Sequence, residues 1–338
     1  MTEELRTYPL VMALMKRSRV PWYWATAALA VLLLLFLLLT AFLDRSFTDT
    51  RNWNFWREFL DSPVMITYIL VVYPLMWRLS ERAINALQTI LPLEEGSTGR
   101  QLVTPIPDRR REWIATFIGA IFWLALQQPW GWSWSEAPWL HTYVFISFSL
   151  LFGLLGWLIY SSLTGARQFS RLTRQNLKLD IFNTRVLAPV AHSSLGVSLA
   201  FIGGISLSLV FQTQESLLVW YNILIYAVLI LATIVIFFLS MWSTHNAMVD
   251  AKKQRLNLVQ EYLVGASRKL EDQVVTGQSE GKEDLSVNIT AWLNYERRIK
   301  EVPEWPFNAS IIRRLLVSTL APVAVFLIKV FSGLGFRF

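Results

Sequence analysis

The amino-acid sequence predicts an all-α polytopic membrane protein with six to seven transmembrane helices. Three observations carry that expectation. The 338-residue chain is 54% hydrophobic and only 16% charged, whereas soluble domains carry roughly 25% charged residues. Its apolar residues come in long runs, and about 20 such residues are what a helix needs to cross hydrocarbon with its backbone satisfied. Its basic residues collect in alternate loops, as the positive-inside rule requires.

The first run is Pro21–Leu43, preceded by Lys16, Arg17 and Arg19. It is too long for a signal-peptide core and has no small-x-small cleavage site before Asp44, so it reads as an uncleaved anchor and the first span. Spans are expected over about 21–43, 59–77, 113–128, 139–160, 187–211 and 217–241. The second (Pro63–Trp77 extended back to Phe59, with Pro74 inside) and the third (Trp113–Leu126 and the two glutamines after it) are the short ones.

Loop charge tests this assignment independently. Residues 1–20 hold four basic residues, 78–112 six, 161–186 five and 242–314 eleven. Residues 127–138 and 212–216 hold no Lys or Arg, and 44–62 hold three basic against four acidic residues. Deleting either short span would break the alternation. The N-terminus is therefore expected in the cytoplasm, in a plasma or inner membrane. Trp22, Trp24, Trp130, Trp132, Trp134 and Trp139 flank the spans as an interfacial aromatic belt would, with an aromatic ligand box as the alternative.

Residues 1–241 thus form a transmembrane domain and 242–304 a cytoplasmic helical region. In the latter, Val249, Leu256, Leu263 and Leu270 recur every seven residues, with Lys252, Val259, Ala266 and Gln273 between them. These coiled-coil-like heptads point either to self-association of subunits or to packing within the chain, against Ala166–Val186. A second short helix is expected over 287–302. Residues 305–338 open with the turn Trp305-Pro306-Phe307-Asn308. They then carry an apolar stretch, Ile311–Phe331, whose Arg313, Arg314 and Lys329 could snorkel to opposite headgroup layers. It is expected either to span or to lie at the interface.

Chemistry-bearing motifs are few. With no cysteine, disulfides and thiolate ligands are excluded. Gly277…Gly281-Lys282 is one residue short of a phosphate loop and has Glu283 where the magnesium-binding hydroxyl belongs. The glycosylation triplets at Asn288 and Asn308 fall on the cytoplasmic side by charge. His141, His192 and His245 have no second ligand one helical turn away. No catalytic, cofactor or metal site is expected, and the protein is read as non-enzymatic. The net charge of +7 is matched to anionic lipid headgroups at the cytoplasmic face rather than to nucleic acid.

The fifth expected span differs from the rest. Gly196, Ala200, Gly204 and Ser208 recur every four residues beside Ser194, Ser198 and Ser206. Small residues at this spacing either let two helices approach closely or present hydroxyls to a pore. Ser318 and Thr319 are the corresponding candidates in the C-terminal stretch. His192 and His245, near the inner interface, are pH-gating candidates or interfacial anchors. Seven spans with the N-terminus inside and a long cytoplasmic helical section form a layout similar to that of the insect chemoreceptor ion channels, with no matched motif and no residue carried over. The expectation is a homo-oligomeric channel for ions or small solutes with passive permeation. The alternatives are a membrane-embedded scaffold or sensor subunit and a lipid scramblase or transport protein.

Overall fold

The computed structural model describes residues 21–46, 50–88, 108–131, 133–135, 137–173, 182, 188–275 and 282–305, with single positions between 313 and 328. Among these residues the protein is all-helical. Helix α1 is Trp22–Leu43, α2 Trp53–Phe59, α3 Asp61–Gln88, α4 Arg109–Gln127 and α5 Pro138–Thr173. Helix α6 is Ala188–Phe211, α7 Gln214–Leu217, α8 Trp220–Val275 and α9 Lys282–Glu301.

Five helices, α1, α3, α5, α6 and α8, are long and apolar enough to cross a membrane. Apolar side chains point outward as well as inward, as a lipid solvent permits: Leu32, Leu35 and Phe42 on α1 and Leu231, Ile234 and Phe238 on α8 are exposed. Helix α4 stands apart from the five. It begins with Arg109-Arg110-Arg111-Glu112, which leaves a short apolar remainder. That remainder nevertheless exposes Trp113, Ile114, Phe117, Ile118 and Ile121 on one face.

Helix α3 lies at the centre, against α1, α5 and α6, while α5 and α6 both meet α8. The main core joins Met65, Ile66, Ile69, Leu70, Tyr73 and Met76 of α3 to Leu151, Trp157 and Leu158 of α5, Val197 and Phe201 of α6 and Ile236 of α8. Hydroxyl pairs knit the same helices: Ser62 to Ser147 at 3.0 Å, Tyr73 to Ser161 at 2.9 Å and Ser80 to Ser193 at 3.3 Å. Such bonds have real value between spans, because hydrocarbon offers no competing partner.

The closest helix approach lies between α4 and α5. A Cβ on Gly119 would sit 2.2 Å from the Phe152 carbonyl oxygen, and one on Gly156 would sit 2.5 Å from that of Ala115. Only glycine fits there, and the pairing holds α4 antiparallel along α5.

Two boundaries differ from the sequence reading. The second expected span does not run back to Phe59, because the chain breaks at Leu60, between α2 and α3. The helix that carries the span expected over 217–241 does not end with that span. Helix α8 continues for 56 residues, about 84 Å at the α-helical rise, because nothing between Met241 and Val275 interrupts a helix. Its far half buries Val259 against Ile299 of α9, with Leu256, Leu263, Trp292 and Tyr295 around them. The heptad face is thus covered by α9 of the same chain. Residues 1–20, the glycine-rich 276–281, Trp132, Asn308 and Thr319 lie outside the described residues.

Candidate functional site

One end of the bundle gathers the end of α1, the starts of α3, α5 and α8, and the ends of α4 and α6. Its construction is legible in capping bonds. The Asp44 carboxylate, just past α1, accepts from Trp139 N at 3.2 Å and Leu140 N at 2.7 Å, closing the first turn of α5. The Arg57 guanidinium donates to the Phe211 and Gln212 carbonyls, satisfying the end of α6. The Tyr143 hydroxyl donates to Phe59 O at 3.0 Å.

Beneath these caps the bundle encloses a partly open cleft with water-sized space of about 70 Å³. Asp61, Gln127, Ser208, Gln212, Asn222 and Tyr226 line it, together with aromatic and aliphatic walls from α4, α5 and α6. Asp61 opens α3, where the positive end of the helix favours a carboxylate. It is only 5% exposed. Gln212 Nε2 donates to its Oδ2 at 3.3 Å, and its Oδ1 has no hydrogen-bond partner. Around it, Ser208 Oγ lies 3.1 Å from the Tyr226 hydroxyl. Ser216 Oγ donates to Gln212 Oε1 at 2.8 Å, and Asn222 Nδ2 to Ser216 O at 2.7 Å. On the opposite wall Trp123 stacks on Phe148, centroids 5.9 Å apart. An incompletely satisfied carboxylate buried at a span end is costly, which makes this cleft the candidate site.

No protein-family model matches the chain, and no curated protein and no solved structure matches it either. The likeness of layout to the insect chemoreceptor channels has no structural match behind it.

The small-residue stripe of α6 faces α3. Ser194, Ser198 and Gly204 are buried. A Cβ on Gly196 would meet Leu79, and the Tyr68 hydroxyl donates to Ala200 O at 2.7 Å. Ser206 turns back to Ile202 O at 2.9 Å. Of the stripe, Gly204 and Ser208 line the cleft. Ser318 is half-buried in the C-terminal stretch. His192 is exposed, its Nδ1 2.7 Å from Ala188 O of its own helix. His245 stacks on Trp305 at 4.0 Å, with its Nδ1 2.8 Å from Glu304 O. Among the described residues no three His, Asp or Glu side chains converge as a metal site.

Sequence reasoning missed Asp61. It stood in the count of loop charges, although Asp-Ser-Pro directly before an apolar run is a helix-start pattern that would place a carboxylate at the span end. Gln127 and Gln212, each at the end of an apolar run, carry the same positional clue.

Proposed function

We propose that this multi-pass membrane protein provides a permeation path for ions or small solutes, with the Asp61 cleft as its polar station. The carrying observation is the cleft itself: a carboxylate, three amides and two hydroxyls converge inside an otherwise apolar bundle. Passive permeation fits the rest, because Ser194 and Ser198 of α6 are buried in helix packing and Ser206 bonds back to its own helix, which leaves Ser208 as the α6 hydroxyl at the cleft. Reconstituted protein in planar bilayers is expected to pass current or solute, and Asp61→Asn to change it at least several-fold. Silence across voltage, pH and tension would refute the reading, and lipid flipping without solute flux would replace it with a scramblase.

The proposal extends to topology. Arg78, Arg82, Arg109–Arg111, Arg167 and Arg171 lie toward the end opposite Asp61, which supports a cytoplasmic basic end and N-terminus. The lipid-ready face of α4 supports a sixth crossing. Support for a seventh comes from the two contacts of the C-terminal stretch. Trp305 stacks on His245, while Val325 and Phe326 pack by Leu209 and Leu217 at the cleft end. A helical path from Trp305 to Phe326 would cover roughly 30 Å, the hydrocarbon thickness.

A scaffold or sensor role is the second reading, favoured by the long hairpin of α8 and α9. It predicts a partner that co-purifies in fixed stoichiometry and is lost when residues 253–301 are removed. Subunit association, which the permeation reading includes, has exposed Leu258 and Val264 of α8 and Leu293 of α9 as available apolar surface.

A further inference from the structure

We infer that the Asp61 cleft binds a single monovalent cation, an alkali ion or ammonium, with Asp61 Oδ1 as its anionic ligand. This deepens the permeation reading of the same site and rests on it for biological meaning, but binding can be tested without flux.

Four observations fix the ligand class. The first is charge. Asp61 lines the cleft 95% out of solvent by its 5% exposure, its Oδ1 is unpartnered, and no basic side chain among the described residues pairs with it. A site built around one buried carboxylate calls for one positive charge. The second is ligand type. The Ser208 hydroxyl and the Tyr226 hydroxyl lie 3.1 Å from each other on the cleft wall, and the carboxamide residues Asn222 and Gln127 line it as well. Oxygen donors of this kind suit a hard cation. The third is valence. Among the described residues no three acidic or histidine groups converge, whereas calcium is held by 6–8 oxygens, commonly from several carboxylates. The fourth is size. A space of about 70 Å³ suits an ion with a water or two and is far below the roughly 300 Å³ of an organic-ligand pocket. The aromatic wall of Trp123 and Phe148 adds π faces that favour a cation over an anion.

The test uses the full chain in detergent, with sodium, potassium, lithium or ammonium chloride exchanged against N-methylglucamine chloride at constant ionic strength. A cation that binds only the folded state raises the unfolding midpoint, here by about 2–5 °C at saturation. The site predicts that rise for at least one small cation, its loss in Asp61→Asn, and a sodium NMR line broadening that the same substitution abolishes. Ser208→Ala and Tyr226→Phe should each weaken binding by about 3- to 10-fold. An equal midpoint in N-methylglucamine, or a rise retained in Asp61→Asn, overturns the inference. Should Asp61→Asn fail to fold, the two hydroxyl variants decide: weakened binding supports the site, and unchanged affinity in both overturns it. Binding without flux in liposomes refutes permeation and leaves the cation site standing. Flux without binding does the reverse.

Discussion

Asp44 and Gly156 show how single residues set this bundle. The Asp44 carboxylate reaches Leu140, 96 residues away in sequence, and supplies α5 with the cap that its own preceding residues do not. Asp44→Ala is expected to destabilise the protein by about 1–2 kcal/mol, read as a lower unfolding midpoint in detergent, and Asp44→Asn to restore part of it through its remaining acceptor. Gly156 lies where α4 and α5 touch backbone to backbone. Gly156→Val must push the helices apart, at about 1–3 kcal/mol, whereas valine at Gly165, whose Cβ would meet nothing within 4 Å, changes the stability by less than about 1 kcal/mol. At this scale the sequence was least legible. Asp44 and Asp61 both sat in a loop-charge count, because their meaning comes from partners on other helices. The eye-catching small stripe at Gly196–Ser208 was visible, yet the tightest contact uses Gly119, Gly153 and Gly156, which have no long repeat.

Helices were more legible than their partners. The heptads of residues 249–270 trace the less exposed face of α8, since apolar periodicity records which side is covered. What covers it was not readable, because a heptad stripe looks the same whether the second helix belongs to another subunit or to the same chain. Here it is α9, clasped by Val259 on Ile299 and by stacking of Tyr262 on Trp292 at 5.0 Å. The Lys252 ammonium adds a terminal latch, donating to Lys300 O at 2.9 Å and Val302 O at 3.0 Å. Ile299→Asp would bury a charge with no partner and is expected to destabilise the hairpin by about 3 kcal/mol or more, seen as rapid proteolysis within 282–301 while the bundle stays intact. A smaller effect has a defined pH sign. The Lys300 ammonium, hydrogen-bonded to Glu296, holds that carboxyl below its ordinary 4.5. Its stabilisation is complete above pH 4.5 and is lost as pH falls through the lowered value. Glu296→Gln should therefore slightly speed hairpin proteolysis at neutral pH and cease to differ from the parent in acid, with an acid-stable protease as the probe.

At the scale of the whole molecule, α1, α5, α6 and α8 were legible from the length of their apolar runs alone, whereas α3 and α4 were the two short runs, α4 the harder because three arginines and a glutamate occupy its first turn. Loop charge supplied the missing argument, and the fold now places those charges in space. Arg78, Arg82, Arg109–Arg111, Arg167 and Arg171 lie toward one end of the bundle, and the end with the cleft, where Asp44 and Arg57 cap helices, lies at the other. The absence of cysteine makes the resulting topology directly testable, since each introduced thiol is the sole target. An impermeant maleimide applied to intact cells should label Ser133→Cys and Glu215→Cys at the cleft end. It should reach Asp108→Cys, Arg255→Cys and Glu271→Cys only after permeabilisation. Asp108 reports on α4, because labelling it from outside would show that α4 lies on the surface instead of crossing. Ser332→Cys reports on the C-terminal stretch. If Val325 and Phe326 mark the end of a crossing, Ser332→Cys labels together with Ser133→Cys. Labelling only after permeabilisation would return the chain to six crossings and would leave the contact of Val325 and Phe326 with Leu209 and Leu217 without a transmembrane explanation.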